Sequence, residues 1–247
     1  STAKTTVHET EVVLAPGAYK GVVTFFPIEE VREHLNECVS EAVLSAYRKE
    51  SETETLRKLL MHVNQRFRFN YVLGNGPNSI APDDDEDIEA DSDELIDPDT
   101  SAGPIDIEKT NALLAKALAV VRDIAVRHGT QLKAELGAFD EKDQRVVDEL
   151  FEEELDRRLR EDEVFHAVAD ELIDEIEARF SLLAEGDIRR NRQGWPQSWS
   201  WETDDRTSFI KAITRFSSNH ASRFGYLLTP LVNGVRVAGP FLPDWNG

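Results

Sequence analysis

Between Val147 and Leu183 apolar residues return every three or four positions along a segment otherwise built almost entirely of charge. Val147, Leu150, Phe151, Leu155 and Leu159, then Phe165, Val168, Leu172, Ile176, Phe180 and Leu183, make one narrow stripe of helical period. A rod with so thin an apolar face has to bury it against other helices, as in a helical hairpin or coiled-coil-like packing. Asp140 can cap this helix, which is expected to run to about residue 183 with a break near residues 160–163. A second helix precedes it at residues 107–128, with Asp106 as N-cap and Gly129 as stop, and its broad face of Leu113, Leu114, Ala117, Leu118, Val121, Ile124 and Ala125 suits the core.

The flanks add a small β component. Residues 11–14 and 21–26 read as short strands around a Pro16–Gly17 turn. Pro27 then opens a helix to about residue 50, bearing Val31, Leu35, Cys38, Val39, Ala42 and Val43, and another follows at 52–65. RFRFNYVLG (residues 66–74) alternates as a half-buried strand would. Near the end, Asp204 can cap a helix over 205–216, Asn219 a shorter one to 228, and Asn233–Gly234 signals a hairpin. The fold expected is mainly α with a small β element, an α+β chain with short N-terminal strands and a C-terminal hairpin. Its parts are an α+β region (1–81), an acidic linker or insertion (82–104), a helical region (105–185) and a Trp/Arg-rich segment packing on the helices (186–247).

Charge narrows function. The chain of 247 residues carries a net charge of -20, which disfavours nucleic-acid backbones and anionic membranes, because such binding depends on neutralising phosphates. The 48 acidic residues, with Arg about twice as frequent as Lys, also fit an acidic or halophilic proteome. A single cysteine, Cys38, cannot form an internal disulfide, so a cytoplasmic setting is expected. No apolar run approaches the roughly 20 residues of a membrane span. Residues 1–13 hold no signal-peptide core, and the absence of an initiator Met suggests processing or an excerpt of a longer protein.

Eleven acids and no base lie between Asp83 and Asp99, a composition that suits a mobile linker. Asp97, Asp99, Ser101 and Glu108 occupy the first, third, fifth and twelfth positions of a calcium loop, but Ala102 replaces its glycine, Pro104 its apolar residue, and the entering helix is missing. Loose cation condensation is expected there, not a metal site. The same tract could act as an acidic nucleic-acid mimic, an alternative function. The histidines, His8, His34, His62, His128, His166 and His220, show no HxxxH or HExxH spacing, and neither a nucleophile elbow nor a phosphate loop occurs. No cofactor is expected, and nothing points to nucleotide hydrolysis by this chain alone.

The most unusual stretch is RRNRQGWPQSWSWETDDRTSF, residues 189–209, with three of the four tryptophans. It lies where a rod of net charge -12 (139–185) meets a segment of net charge +3 (186–247). Arg189, Arg190, Arg192, Trp195, Trp199, Trp201 and Arg206 are the candidate surface for a protein partner, since Arg and Trp dominate interface hot spots. The alternative is that the indoles form a lid on this protein's own core. The expected function is a non-enzymatic protein–protein interaction or regulatory module, with homo-oligomerisation through the long helix also open. The other reading is a hydrolase or nucleotide-handling enzyme with a site near Arg189, Arg190, Asp204, Asp205 and His220.

GWP at 194–196, TPLVNGVRVAGPF at 229–241 and Trp245 resemble the C-terminal accessory region of large bacterial GTPase- or ATPase-like proteins described as virulence or conflict-system factors. The resemblance covers about a fifth of the chain and implies an accessory role beside a nucleotide-driven partner domain. The family's nucleotide-binding loop has no counterpart here, so no catalytic residue carries over.

Overall fold

The computed structural model describes residues 9–64, 66–74, 105–136, 144–217 and 227–242. The first helix, α1 (Ile28–Tyr47), begins behind Pro27, with Glu29 and Glu30 complementing its dipole. It buries Val31, Leu35, Cys38, Val39, Ala42 and Val43. Lys49 turns the chain in the left-handed region (φ 59°), and the Ser51 hydroxyl accepts the Glu54 N–H at 3.1 Å to cap α2 (Glu52–Leu60). Four further helices follow: α3 (Asn70–Leu73), α4 (Ile107–Leu136), α5 (Gln144–Leu159) and α6 (Glu163–Phe180). The hub is α1, which packs on α2, α4, α5 and α6.

Asp106 caps α4 as expected, its Oδ1 accepting the Lys109 N–H at 2.9 Å. Gly129, however, does not stop the helix, which continues to Leu136. A Cβ at this position would overlap the Tyr47 ring, so the glycine serves the close approach of α4 to α1. The apolar stripe breaks within the expected interval 160–163: Asp162 separates α5 from α6, accepting the Val164 N–H at 2.8 Å and the Phe165 N–H at 3.4 Å. The stripe is buried from Phe151 to Phe180, and its partners are α1 and α4. At about 1.5–3 kcal/mol for each large side chain removed from water, that burial outweighs anything helix propensity contributes on so charged a rod.

RFRFNYVLG is not a strand. Its first residues form turns, with one bridge between Met61 and Arg68, and α3 follows. Phe67, Phe69, Tyr71, Val72 and Leu73 are all buried, so this segment has no solvent face of the kind that alternation implied.

Five strands, β1 (Glu9–Leu14), β2 (Tyr19–Phe25), β3 (Asp187–Arg190), β4 (Pro196–Thr203) and β5 (Val232–Gly239), form one mixed sheet in the order β1-β5-β2-β4-β3. β1 runs parallel to β5, and the other pairs are antiparallel. β1 and β2 are consecutive in sequence, yet β5 lies between them. The C-terminal β element is therefore present, but Asn233–Gly234 sits inside β5. Thr24 pairs with Gly234 and Phe25 with Val232, which leaves Asn233 as the extra residue of a bulge. Arg66 donates from Nη2 to the carbonyls of Val232 (3.3 Å) and Asn233 (3.2 Å), tying the helices to that irregularity.

The last helix, α7 (Arg206–Ser217), covers β2, β4 and β5 on one face. One contiguous core joins the sheet to the helices through an aromatic seam in which Phe25 meets Phe180 edge-on at 4.9 Å and packs against Phe216. The outcome is the mixed α+β fold expected. Among the described residues no helix is long and apolar enough to cross a membrane.

Candidate functional site

The Arg/Trp segment divides into an inside and an outside. Trp199 pairs with Val23 and Trp201 with Gly21 across β2, so both face α7. Trp199 is 1% exposed, packs 4.8 Å from the Phe216 ring and donates its indole N–H to the Glu185 carbonyl at 2.7 Å. Gly186, next in the chain, holds a φ of 82° directly against that indole. Trp195 is 2% exposed and donates to the Phe26 carbonyl at 2.8 Å. These two tryptophans are thus withdrawn from the candidate partner surface: their apolar area and their only donors are spent on the protein's own core. Trp201 is half-buried and stacks on Phe209.

The arginines separate in the same way. Arg190 folds back on the acidic rod, reaching Glu177 Oε1 at 2.7 Å and the Gly194 carbonyl at 2.6 Å. Arg189, Arg192 and Arg206 are exposed, and among the described residues none has an ion-pair partner. Asp205, not Asp204, caps α7, accepting from Thr207 N–H (3.0 Å) and Ser208 Oγ (2.5 Å). The hydrogen bond from Ser208, with the Thr207 N–H, holds its carboxyl below the ordinary range. Asp205, one of the residues named for the enzyme reading, is thus engaged as a helix cap. His220, the helix expected from Asn219, Trp245, the tract 83–99 and Asp97, Asp99 and Ser101 of the calcium-like pattern lie outside the described residues; Glu108 is exposed in the first turn of α4.

A second constellation went unnoticed in the sequence. His34 and Glu37, three apart on α1, meet His62, two residues beyond the end of α2. One donor atom from each lies within 4.8 Å of the others. His34 Nδ1 is 3.5 Å from Glu37 Oε2, and His62 Nε2 is in direct hydrogen-bond contact with the same oxygen. The His34 ring stacks on buried Phe67 at 3.7 Å, and His62 meets Phe67 edge-on. Side-chain exposure is 19% for His34, 11% for His62 and 52% for Glu37, so two fixed rings flank an acid open to solvent. Burial acts to raise the Glu37 carboxyl, but hydrogen bonds from His62 and His34 outweigh it and hold the group below its usual value. The HxxE spacing was visible, but the histidine that completes the cluster stands 25 residues beyond Glu37 and arrives only because α2 folds back along α1.

The fold defines a class, a helical layer joined to a five-stranded mixed sheet, and no more than that. Comparison with family models, with curated proteins and with solved structures finds no match for this chain.

Proposed function

We propose that the protein is a non-enzymatic protein-interaction module whose contact surface is the sheet face turned away from α7, together with the β3 edge. The observation that supports this is the uncovered face itself. Tyr19, Gly21, Val23 and Phe25 of β2 point into the core, whereas Lys20, Val22 and Thr24 are exposed on the other side. In register beside them stand Ser198, Ser200 and Glu202 of β4 and Arg236 of β5. Most charge on this face is cancelled locally, with Lys20 3.1 Å from Glu202 and Arg236 3.2 Å from Glu11. Val22 remains 43% exposed at the centre, and at the β3 edge Asp187, paired with Ser200, and Arg189, paired with Ser198, place charges of both signs on the same face. Arg192 follows in the turn to β4. A nearly neutral patch with a central apolar residue and a rim carrying both signs of charge suits a protein surface of matching pattern. The resemblance of residues 194–196 and 229–241 makes a GTPase- or ATPase-like domain the partner to test first.

The test is quantitative capture from extracts of the source cell, using the natural chain, Val22→Arg, Arg189→Glu and a control, Glu149→Lys, on the exposed side of α5. A partner retained by the control and lost by the first two supports this surface. Equal capture by all four chains overturns it.

A further inference from the structure

We propose that His34, Glu37 and His62 form a binding site for one divalent transition-metal ion, zinc being the ion that this donor set suits best. Two imidazoles and one carboxylate are the ligands of a borderline ion, and three protein ligands leave a fourth position to water. Calcium and magnesium, which prefer six or more oxygens, are poorly served by two ring nitrogens.

The geometry is close to that of a bound ion. Metal–ligand bonds of about 2.0–2.2 Å in a tetrahedron place the donor atoms about 3.4 Å apart. The 3.5 Å separation of His34 Nδ1 from Glu37 Oε2 already fits. His62 Nε2 is hydrogen-bonded to the same oxygen, so an ion between them requires Glu37 to move outward. Glu37 is half exposed and can swing outward by the small amount required. Both rings lie against Phe67, which is 3% exposed. Much of the ordering that a metal site requires is therefore present in the packing of α1 on the segment after α2.

One contact opposes metal binding and sets its chemistry. The Asn64 N–H donates to His62 Nδ1 at 3.0 Å, which places the proton of a neutral ring on Nε2, facing Glu37. For Nε2 to ligate, that proton leaves for solvent and another is taken up at Nδ1, while Asn64 N–H turns to water. Val63 and Asn64 are exposed, and the Asn64 N–H has to turn while its carbonyl keeps the Phe67 N–H at 3.0 Å and its Oδ1 the Arg66 N–H at 3.2 Å. The site is independent of the interaction surface, since none of its residues lies in the sheet.

The experiment is titration of chelator-stripped protein with Zn²⁺ by calorimetry, with Co²⁺ as an optical probe, on the natural chain, Glu37→Gln, His34→Gln and His62→Gln. Circular dichroism and melting establish that each variant folds. The expected result is one tight equivalent, an intense visible Co²⁺ band of tetrahedral coordination, and Zn²⁺ affinity at least tenfold weaker in Glu37→Gln. At least one histidine variant should also lose the Co²⁺ band. Weak multi-equivalent binding shared with Ca²⁺, binding unchanged by Glu37→Gln, or no binding at all overturns the proposal. Should both histidine variants misfold, Glu37→Gln alone decides, because its side chain is half exposed and its amide keeps a hydrogen-bonding oxygen.

Discussion

Trp199 donates its indole N–H to the main-chain carbonyl of Glu185 at 2.7 Å and thereby pins strand β4 to the chain leaving α6. The ring fills the space between Val23 and Phe216, while the nitrogen satisfies a carbonyl that would otherwise be stranded beneath it. Replacing Trp199 by Ala should destabilise the protein by about 3–5 kcal/mol. Trp199→Phe, which keeps most of the volume but leaves the carbonyl without its donor, should cost about 1–3 kcal/mol. Urea denaturation of both variants checks this, and a change below about 0.5 kcal/mol in the alanine variant would contradict the core placement.

The exposed arginines of the same segment should behave in the opposite way. Arg189→Glu and Arg192→Glu remove no buried area and break no ion pair with a described residue, so each should shift stability by less than about 0.5 kcal/mol. Arg190→Glu opposes Glu177 in place of pairing with it, which for a pair this exposed amounts to at most about 1 kcal/mol. Thermal melting at low and at 0.5 M salt separates the cases, because only the Arg190 effect should shrink with screening.

Gly129 and Tyr47 supply a prediction of reversed sign. In an open helix Gly→Ala is stabilising by about 1 kcal/mol. Here the added methyl meets the Tyr47 ring, itself stacked on Phe151 at 4.3 Å, so Gly129→Ala should destabilise by about 1–3 kcal/mol. Combining it with Tyr47→Ala should recover part of the loss, a coupling that a double-mutant cycle reads directly.

These positions mark how far the residues alone could be read. The apolar faces of α1, α4 and α6 were legible because periodicity reports burial on a single element. The Asp106 cap was legible because a cap is a local hydrogen bond, whereas the break near 160–163 was expected without Asp162 being named as its cap. Gly129 misled because its reason is a ring on another helix, and RFRFNYVLG misled because its aromatic residues are buried from every side. Asn233–Gly234 carries a turn signature but forms a bulge, since β1 and β2 grip β5 from both edges. The same limit hid His62 from His34 and Glu37: one-dimensional spacing shows ligands on one element, not a cluster closed by two.

Asp162 joins three parts of the fold and predicts a pH effect. It caps α6 through Oδ1, while Oδ2 meets His128 Nε2 at 2.6 Å and Arg127 Nη2 at 2.7 Å. Burial acts to raise its carboxyl, but the His128 hydrogen bond, the Val164 and Phe165 N–H groups and the Arg127 charge outweigh it and hold it below the ordinary value. A group depressed on folding contributes stability above its unfolded pKa of about 3.9, and that contribution fades as the pH falls through the lower folded value. Asp162→Ala should cost about 0.5–2 kcal/mol at pH 7 through the cap alone. The gap between the natural chain and Asp162→Ala should narrow as the pH is lowered from 5 to 2, as urea titrations at fixed pH will show.

The buried pair Glu175–Arg179 tests whether a charge inside the helical layer can be removed singly. Both side chains are 7% exposed and their charged atoms are 3.2 Å apart. Thr110 donates to Glu175 at 3.3 Å and accepts from Arg179 at 2.8 Å, Lys109 reaches Glu175 at 2.9 Å, and Arg179 Nε donates to the Val72 carbonyl at 3.1 Å. Removing Glu175 takes away the carboxylate 3.2 Å from a buried guanidinium, so Glu175→Ala should cost about 3–5 kcal/mol. Desolvation of two ions offsets most of what their attraction returns, so Glu175→Leu combined with Arg179→Met should be far less damaging than Glu175→Ala, provided the Val72 carbonyl finds water. Denaturation of the single and double variants decides: losses that simply add would mean that the two side chains act independently, contrary to their geometry.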